Sequence, residues 1–264
     1  MEAERPIGIF DSGIGGLTVF REIRKLLPRE SLIYLGDTAR VPYGTKSEKT
    51  VQRYARECVA FLQTKGVKLA VVACNTASAF ALDPLQRELR IPVVGVIAPG
   101  AGGALARTKN RRIGVIGTEG TIRSGAYPRE IKKLEPKAEV TGVACPLFVP
   151  LVEEGWLEGD ATRLIAEKYL HGLKQKGVDA LILGCTHYPL LKPVLHAVMG
   201  GTALIDSAEE TAAEVSKILA DRAIRSGGEP APDRFFVTDS PERFRRVGEI
   251  FMGGTLSNVT QVEL

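Results

Sequence analysis

The chain has 264 residues, of which 44% are hydrophobic and 25% charged, with a formal net charge of +4. This is the composition of a soluble globular protein with a real core; so small and scattered a charge excludes a nucleic-acid-binding stripe but suits an anionic small substrate. No apolar run approaches a membrane span, residues 1–6 (MEAERP) do not read as a signal peptide, and four cysteines without CxxC spacing are no secreted disulfide framework, so reduced thiols and a cytosolic location are expected.

The first predicted strand, Ile7–Phe10, leads through Asp11-Ser12-Gly13-Ile14-Gly15-Gly16 into a helix from about Leu17 to Leu26. The loop falls short of a dinucleotide fingerprint because Thr18 stands where G-x-G-x-x-G needs its last glycine. Its glycines suit a tight strand-to-helix turn. Asp11, at a strand's C-terminal end, is placed to act as a base or hold an ammonium group, or else to cap the following helix. Ser31–Leu35 is a second strand, and the loop Gly36–Gly44 follows at the same sheet edge; its Pro42-Tyr43-Gly44 turn either offers N–H groups to an anion or is merely a turn. Ser47 caps a helix running to about Lys65, and Cys58 lies on its apolar stripe as a core residue.

Leu69–Ala73 is a short apolar strand that ends at Cys74, where Asn75, Thr76 and Ser78 offer helix-capping side chains. Ligands of open α/β sheets bind at such strand ends. Backbone N–H groups and a helix dipole are expected to lower the pKa of a thiol there. A helix to about Leu89 and a strand Pro92–Ile97 follow, and Ala98–Gly103 reads as a linker because proline and glycine cluster in it. Beyond it come strand Arg112–Ile116, a helix from the Gly117–Thr121 turn to about Lys133, and strand Glu139–Val143. Cys145 lies in the loop past that strand and reads as structural. Glu153 reads by itself as a solvated acid at a helix end. Asp160 is expected to cap a helix to about Lys176, and Ala180–Leu183 is the strand leading into Cys185-Thr186-His187. His187 stands close enough to tune the Cys185 thiol. His171 and His196 have no such company. A strand Ala203–Ile205, a helix around Ala208–Arg225 and a strand near Arg234–Val237 close the chain.

Two stretches echo each other. Gly66-Val-Lys-Leu-Ala-Val-Val-Ala-Cys74 and Gly177-Val-Asp-Ala-Leu-Ile-Leu-Gly-Cys185 place a cysteine eight residues after a Gly-Val pair. Ile7–Gly13 likewise parallels Ile113–Glu119, and Val41-Pro42 parallels Val149-Pro150, which lends Glu153 more interest. The reading is two similar doubly wound α/β parallel-sheet domains, residues 1–97 with 208–264 and residues 98–207. They would face each other across a cleft, related by a pseudo-twofold, with one thiol on each wall.

At FDSGIGGLTV (Phe10–Val19), DTARVPYG (Asp37–Gly44), ACNTAS (Ala73–Ser78) and GCTHYP (Gly184–Pro189), the sequence resembles the cofactor-independent aspartate/glutamate racemase family, from the first strand to about Thr211. The resemblance implies Cys74 and Cys185 as two bases working from opposite faces of an α-carbon, Asp11 and His187 as their respective helpers, and Glu153 as a further ionisable group. By the same resemblance Asp11, Ser12, Pro42, Tyr43, Gly44, Cys74, Asn75, Thr76, Cys185, Thr186 and His187 contact substrate, with Thr118 and Thr121 as further candidates. It also implies interconversion of L- and D-glutamate, supply of D-glutamate for peptidoglycan, no cofactor or metal, and a cytoplasmic homodimer with no nucleic-acid or membrane partner. Alternatives are an aspartate or hydantoin racemase on the same frame, or a redox or metal-binding protein using the two thiols.

Overall fold

The computed structural model of the chain describes residues 2–264; Met1, the first residue of the N-terminal stretch discussed above, lies outside the described residues. In the first sheet β1 (Ile7–Asp11) lies between β2 (Leu32–Gly36) and β3 (Leu69–Val72), with β4 (Val93–Gly95) beyond β3, every pair parallel. In the second, β5 (Arg112–Gly117) lies between β6 (Glu139–Ala144) and β7 (Ala180–Gly184), with β8 (Ala203–Asp206) beyond β7, again all parallel. Both blocks run second, first, third, fourth, so the sequence repeat is a repeat of topology. Residues of β1, β2, β3 and β7 are buried throughout. Helices cover both faces of such a sheet, which is why these strands are unbroken apolar runs and not alternating ones.

The structure is thus a pair of parallel-sheet α/β domains. Two late strands, β9 (Arg234–Val237) and β10 (Val259–Gln261), extend the first sheet beyond β2, also in parallel. In chain order the helices are α1 (Leu17–Leu26), α2 (Glu48–Thr64), α3 (Asn75–Glu88), α4 (Ile97–Arg107), α5 (Glu119–Ser124) and α6 (Ala126–Leu134). Further on come α7 (Phe148–Glu153), α8 (Asp160–Gln175), α9 (Lys192–Met199), α10 (Ser207–Asp221) and α11 (Pro241–Met252).

Several expectations need correction. Residues 98–103 are not a linker but part of α4, and the strand before it is only Val93–Gly95. Pro99 falls in the first turn, where a missing N–H costs nothing. The glycines let neighbours approach: a Cβ on Gly103 would lie 2.6 Å from the Glu210 carboxyl carbon, and one on Gly100 would lie 3.2 Å from the Tyr127 hydroxyl. The helix expected from 117–121 to Lys133 is broken at Gly125, which adopts a left-handed conformation (φ 65°) between α5 and α6. Asp160 is the first residue of α8 and Gly159 its N-cap. Ser47 caps α2 as expected, accepting from the Thr50 N–H.

Lys68, just ahead of β3, is 1% exposed and pairs with the equally buried Glu30. Its ammonium donates to the carbonyls of Ala3 and Ile224, and Glu30 accepts from the Ser226 N–H at 2.8 Å. This clasp ties the N-terminal turn, the first sheet and the C-terminal segment together. Lys68→Met strands a buried carboxylate and is expected to cost about 3–5 kcal/mol in urea denaturation, part of which Glu30→Gln in the same chain restores. A loss below about 1 kcal/mol would show that the clasp is not holding these segments.

Candidate active site

The ends of β1, β3 and β7 converge on one cavity of about 220 Å³ between the domains. From the first domain it is lined by Ser12, Pro42, Tyr43, Gly44, Cys74, Asn75 and Thr76; from the second by Thr118, Glu153, Cys185, Thr186 and His187. The structure therefore brings together all but two of the residues singled out above. Asp11 and Thr121 stand one layer behind the lining, 1% and 2% exposed. Sequence reading did not single out Gly13, Ile14, Val41, Val149 and Pro150, which also line the cavity. The Val-Pro echo was the signal for Val41, Val149 and Pro150, although Val41-Pro42 lies in a loop and Val149-Pro150 in the first turn of α7, and the glycine loop was the signal for Gly13 and Ile14.

On the first wall, Cys74 is itself the N-cap of α3, its sulfur accepting from the Ala77 N–H at 3.5 Å. Ser78 instead donates to the Val72 carbonyl at 2.7 Å and accepts from Val96 N–H at 3.2 Å, bracing the turn. Asp11 does not cap α1, whose N-cap is Gly16; it accepts from the Gly13 N–H at 2.9 Å, and its Oδ1 has no partner. Burial pushes the Asp11 carboxyl above its usual range, against the hydrogen bond from Gly13 and the charge of His187. Contrary to expectation, the Cys74 thiol is pushed up to about 12. Burial is the largest cause and the Asp11 charge the next, and together they outweigh the Ser12 and Ala77 hydrogen bonds. Cys74 therefore stands as a thiol.

On the opposite wall, Cys185 Sγ lies 3.8 Å from His187 Nδ1, and His187 Nε2 lies 3.1 Å from Glu153 Oε1. Burial works against the charged imidazole, but the hydrogen bonds to Cys185 and Glu153 win, and His187 is pushed up to about 10. As a cation it donates from both nitrogens. Burial raises the Glu153 carboxyl, yet the His187 hydrogen bond and the charges of His187 and Arg243 hold it below the usual carboxylate range. The half-sites are matched in position and opposite in charge: a thiol beside a carboxylate faces a sulfur beside a cation.

Ile14, Val41, Pro42, Val149 and Pro150 make part of the lining apolar, and its remaining polar groups are neutral. Thr76 of α3 meets Thr118 at 2.8 Å and Thr121 at 3.2 Å, joining the domains through a hydroxyl cluster. The Tyr127 hydroxyl donates to Asn75 Oδ1 at 2.8 Å, which leaves the buried Asn75 Nδ2 without a partner. Among the described residues, no lysine or arginine lines the cavity and no group of three His, Cys, Asp or Glu side chains is placed to hold a metal ion. Anionic groups would be met by backbone N–H groups and hydroxyls at the strand–helix turns. All four cysteines are free and buried, Cys58 and Cys145 away from the cavity.

The sequence matches the Asp/Glu/Hydantoin racemase family over residues 7–215. The chain belongs to this family. A glutamate racemase of Geobacter metallireducens is 57% identical over 98% of this chain and 97% of its own length. Among solved structures, glutamate racemase isoform RacE1 of Bacillus anthracis superposes with a TM-score of 0.96 at 42% identity, covering 99% of this chain and 98% of that one. Glutamate racemase of Francisella tularensis, solved in complex with D-glutamate, gives 0.93 at 41% identity over 99% and 98%.

In this racemase the glycine loop after β1 forms part of the floor against the second domain. A Cβ on Gly15 would lie 2.3 Å from Thr186 Oγ1 and 2.4 Å from His187 Nδ1. Thr18 Oγ1 donates to the Thr186 carbonyl at 3.0 Å in the same seam. Gly15→Ala must displace the Cys185-Thr186-His187 turn, and kcat/KM is expected to fall by about 10²-fold, the loss that an ångström of misplacement brings. Steady-state kinetics beside a thermal melt would check this; near-parental kcat/KM would mean that the turn tolerates the shift.

Proposed function

We propose that the chain interconverts L- and D-glutamate by direct proton transfer between the substrate α-carbon and two opposed thiols. What carries the reading is that Cys74 and Cys185, each just beyond the third strand of its own four-strand block, open on the same small cavity from different domains. Inversion needs a proton taken from one face and another delivered to the opposite face. When Cys185, beside the His187 cation, acts as the base, the C–H bond of the α-carbon breaks, the hydrogen leaves as a proton and the S–H bond of Cys185 forms. The Cys74 S–H bond then breaks as its proton goes to the other face of the planar carbanion, leaving Cys74 as thiolate. The reverse direction uses the same atoms with roles exchanged.

For the reverse direction, in which Cys74 must first lose its proton to act as base, Asp11 would receive that proton, and in both directions Glu153 would hold His187 charged. Substrate carboxylates would be held by N–H groups of the turns at Ser12-Gly13, Asn75-Thr76 and Thr186-His187, by the unpartnered Asn75 amide and by the threonine hydroxyls. Donors aimed at an oxygen where charge develops are worth several kcal/mol each in a dry site. The glutamate racemases named above support glutamate as substrate.

The same reading gives the product to bacterial peptidoglycan in the cytoplasm and makes the working form a homodimer. Leu147 and Trp156, 50% and 57% exposed on either side of α7, support such an interface. Among the described residues no helix is long and apolar enough to cross a membrane. Residues 1–97 with 208–264 would form one domain and 98–207 the other, supported by β9 and β10 joining the first sheet and α4 packing on β7 and β8.

Incubating the protein with L-glutamate, L-aspartate and a hydantoin, and following loss of circular dichroism, tests the substrate. Glutamate is expected to turn over with kcat/KM at least about 10²-fold above aspartate, the discrimination a shaped pocket achieves over one methylene. Equal or faster turnover of aspartate or the hydantoin would overturn the assignment.

A further inference from the structure

The Cys185 wall is backed by an element from the other end of the chain. Helix α11, between β9 and β10, packs on α1 of the first domain. It nevertheless reaches the second domain, and two of its side chains meet the Cys185 half of the site. The Phe251 ring stands edge-on to the His187 imidazole, centroids 5.2 Å apart. Arg243 Nη2 lies 2.9 Å from Glu153 Oε2, while the other oxygen of that carboxylate accepts from His187 at 3.1 Å. Each Glu153 oxygen is thus committed to a different cation, one inside the cleft and one at its edge.

We propose that Arg243 is a positioning residue for the Cys185 half of the site, holding Glu153 in the orientation that supports His187. The inference rests on the two-thiol reading above and extends it to a residue outside the cleft. Glu153 is the last residue of α7, where a helix terminus disfavours a carboxylate. Its side chain is 23% exposed, so it has a route to solvent that a free carboxylate would take. Arg243 is a fixed cation at any working pH and supplies the counterweight. The titratable groups facing His187 are Cys185, Glu153 and, from the first domain, Asp11; those facing Glu153 are His187 and Arg243. Because Arg243 and Glu153 come from different halves of the molecule, the support of His187 is complete only when α11 and α7 lie against each other.

The test uses Arg243→Gln and Arg243→Lys, with Arg246→Gln as control. Arg246 is exposed on the same helix and makes no ion pair among the described residues. The chain has three histidines. The ring resonances of His187 can therefore be assigned by their loss in His187→Asn, and they sense protonation of Glu153. Removing the Arg243 cation takes away one cause that lowers the Glu153 carboxyl, so that carboxyl protonates at higher pH. The acid inflection seen at His187 in Arg243→Gln is expected to move to higher pH. At mildly acidic pH kcat/KM falls roughly two- to five-fold, the scale of a half-exposed ion pair. Arg243→Lys restores most of both, and Arg246→Gln matches the parent. High salt, which screens the pair, moves the parent toward Arg243→Gln.

An unmoved inflection with parental acid-side kcat/KM in Arg243→Gln would overturn the proposal, as would the same change in Arg246→Gln. Should Arg243→Gln melt before it can be titrated, the salt dependence of the parent's inflection decides: no movement overturns it. Failure of the two-thiol reading is separable, since it would appear as a parent that does not racemise glutamate, whatever the His187 resonances do.

Discussion

Either Cys74→Ala or Cys185→Ala is expected to lower glutamate racemisation by at least about 10²-fold, the contribution of one positioned acid–base group, while the protein stays folded. Every turnover in either direction uses both sulfurs, one to take a proton and one to give it, so neither can substitute for the other. The two enantiomers are equal in energy in water, so kcat/KM must fall equally for both. The loss should not be a folding effect. Both thiols are almost fully buried, but each sits at the cavity wall and not inside a packed apolar cluster on all sides, and losing the sulfur costs about 1 kcal/mol. Cys58→Ala and Cys145→Ala serve as contrast. Burial pushes both thiols far above the ordinary range, neither lines the cavity, and both variants should keep turnover. Chiral chromatography of product beside a thermal melt of each variant decides the matter. One sensitive and one indifferent cysteine in the Cys74–Cys185 pair would remove the basis for two opposed half-sites.

How far the site was legible in the sequence follows from the kind of signal each residue leaves. Strands such as Ile7–Asp11 and Leu69–Val72 are apolar runs bounded by turn residues, and the two Gly-Val…Cys units repeat at a distance that only a duplicated topology explains. Residues at strand ends are therefore legible from the sequence itself. Stretch 98–103 is not, because its proline and glycines are locally those of a loop. They become helical through contacts with Tyr127 and Glu210 far along the chain. The state of Cys74 misled for a related reason. The sequence displays the helix terminus that lowers a thiol's pKa but not the depth of burial beside Asp11 that raises it, and burial is the larger influence. Arg243 and Phe251 left no trace at all. They lie in a segment without motifs, and their importance arises only from where α11 comes to rest, against Glu153 and His187.

In deuterium oxide, the first product molecules should carry deuterium at the α-carbon while unreacted substrate remains mostly protium. This follows from the separation of the two walls. A hydrogen taken by one sulfur stays on that sulfur until solvent exchanges it or it returns to the same face. The hydrogen delivered to the product comes from the other sulfur, which was filled from solvent beforehand. Cys74, held as a thiol by its burial and by Asp11, carries deuterium before substrate enters. Starting from the opposite enantiomer, the deuterium must come from Cys185, so the same labelling should appear in both directions although the half-sites differ in charge. A single base swinging between faces would instead hand part of the original hydrogen across, and early product would contain protium. Mass spectrometry of each enantiomer after chiral separation at low conversion reads the difference directly. Protium in early product from either starting isomer would mean that one group serves both faces, and the second cysteine would then need another explanation for its place in the cleft.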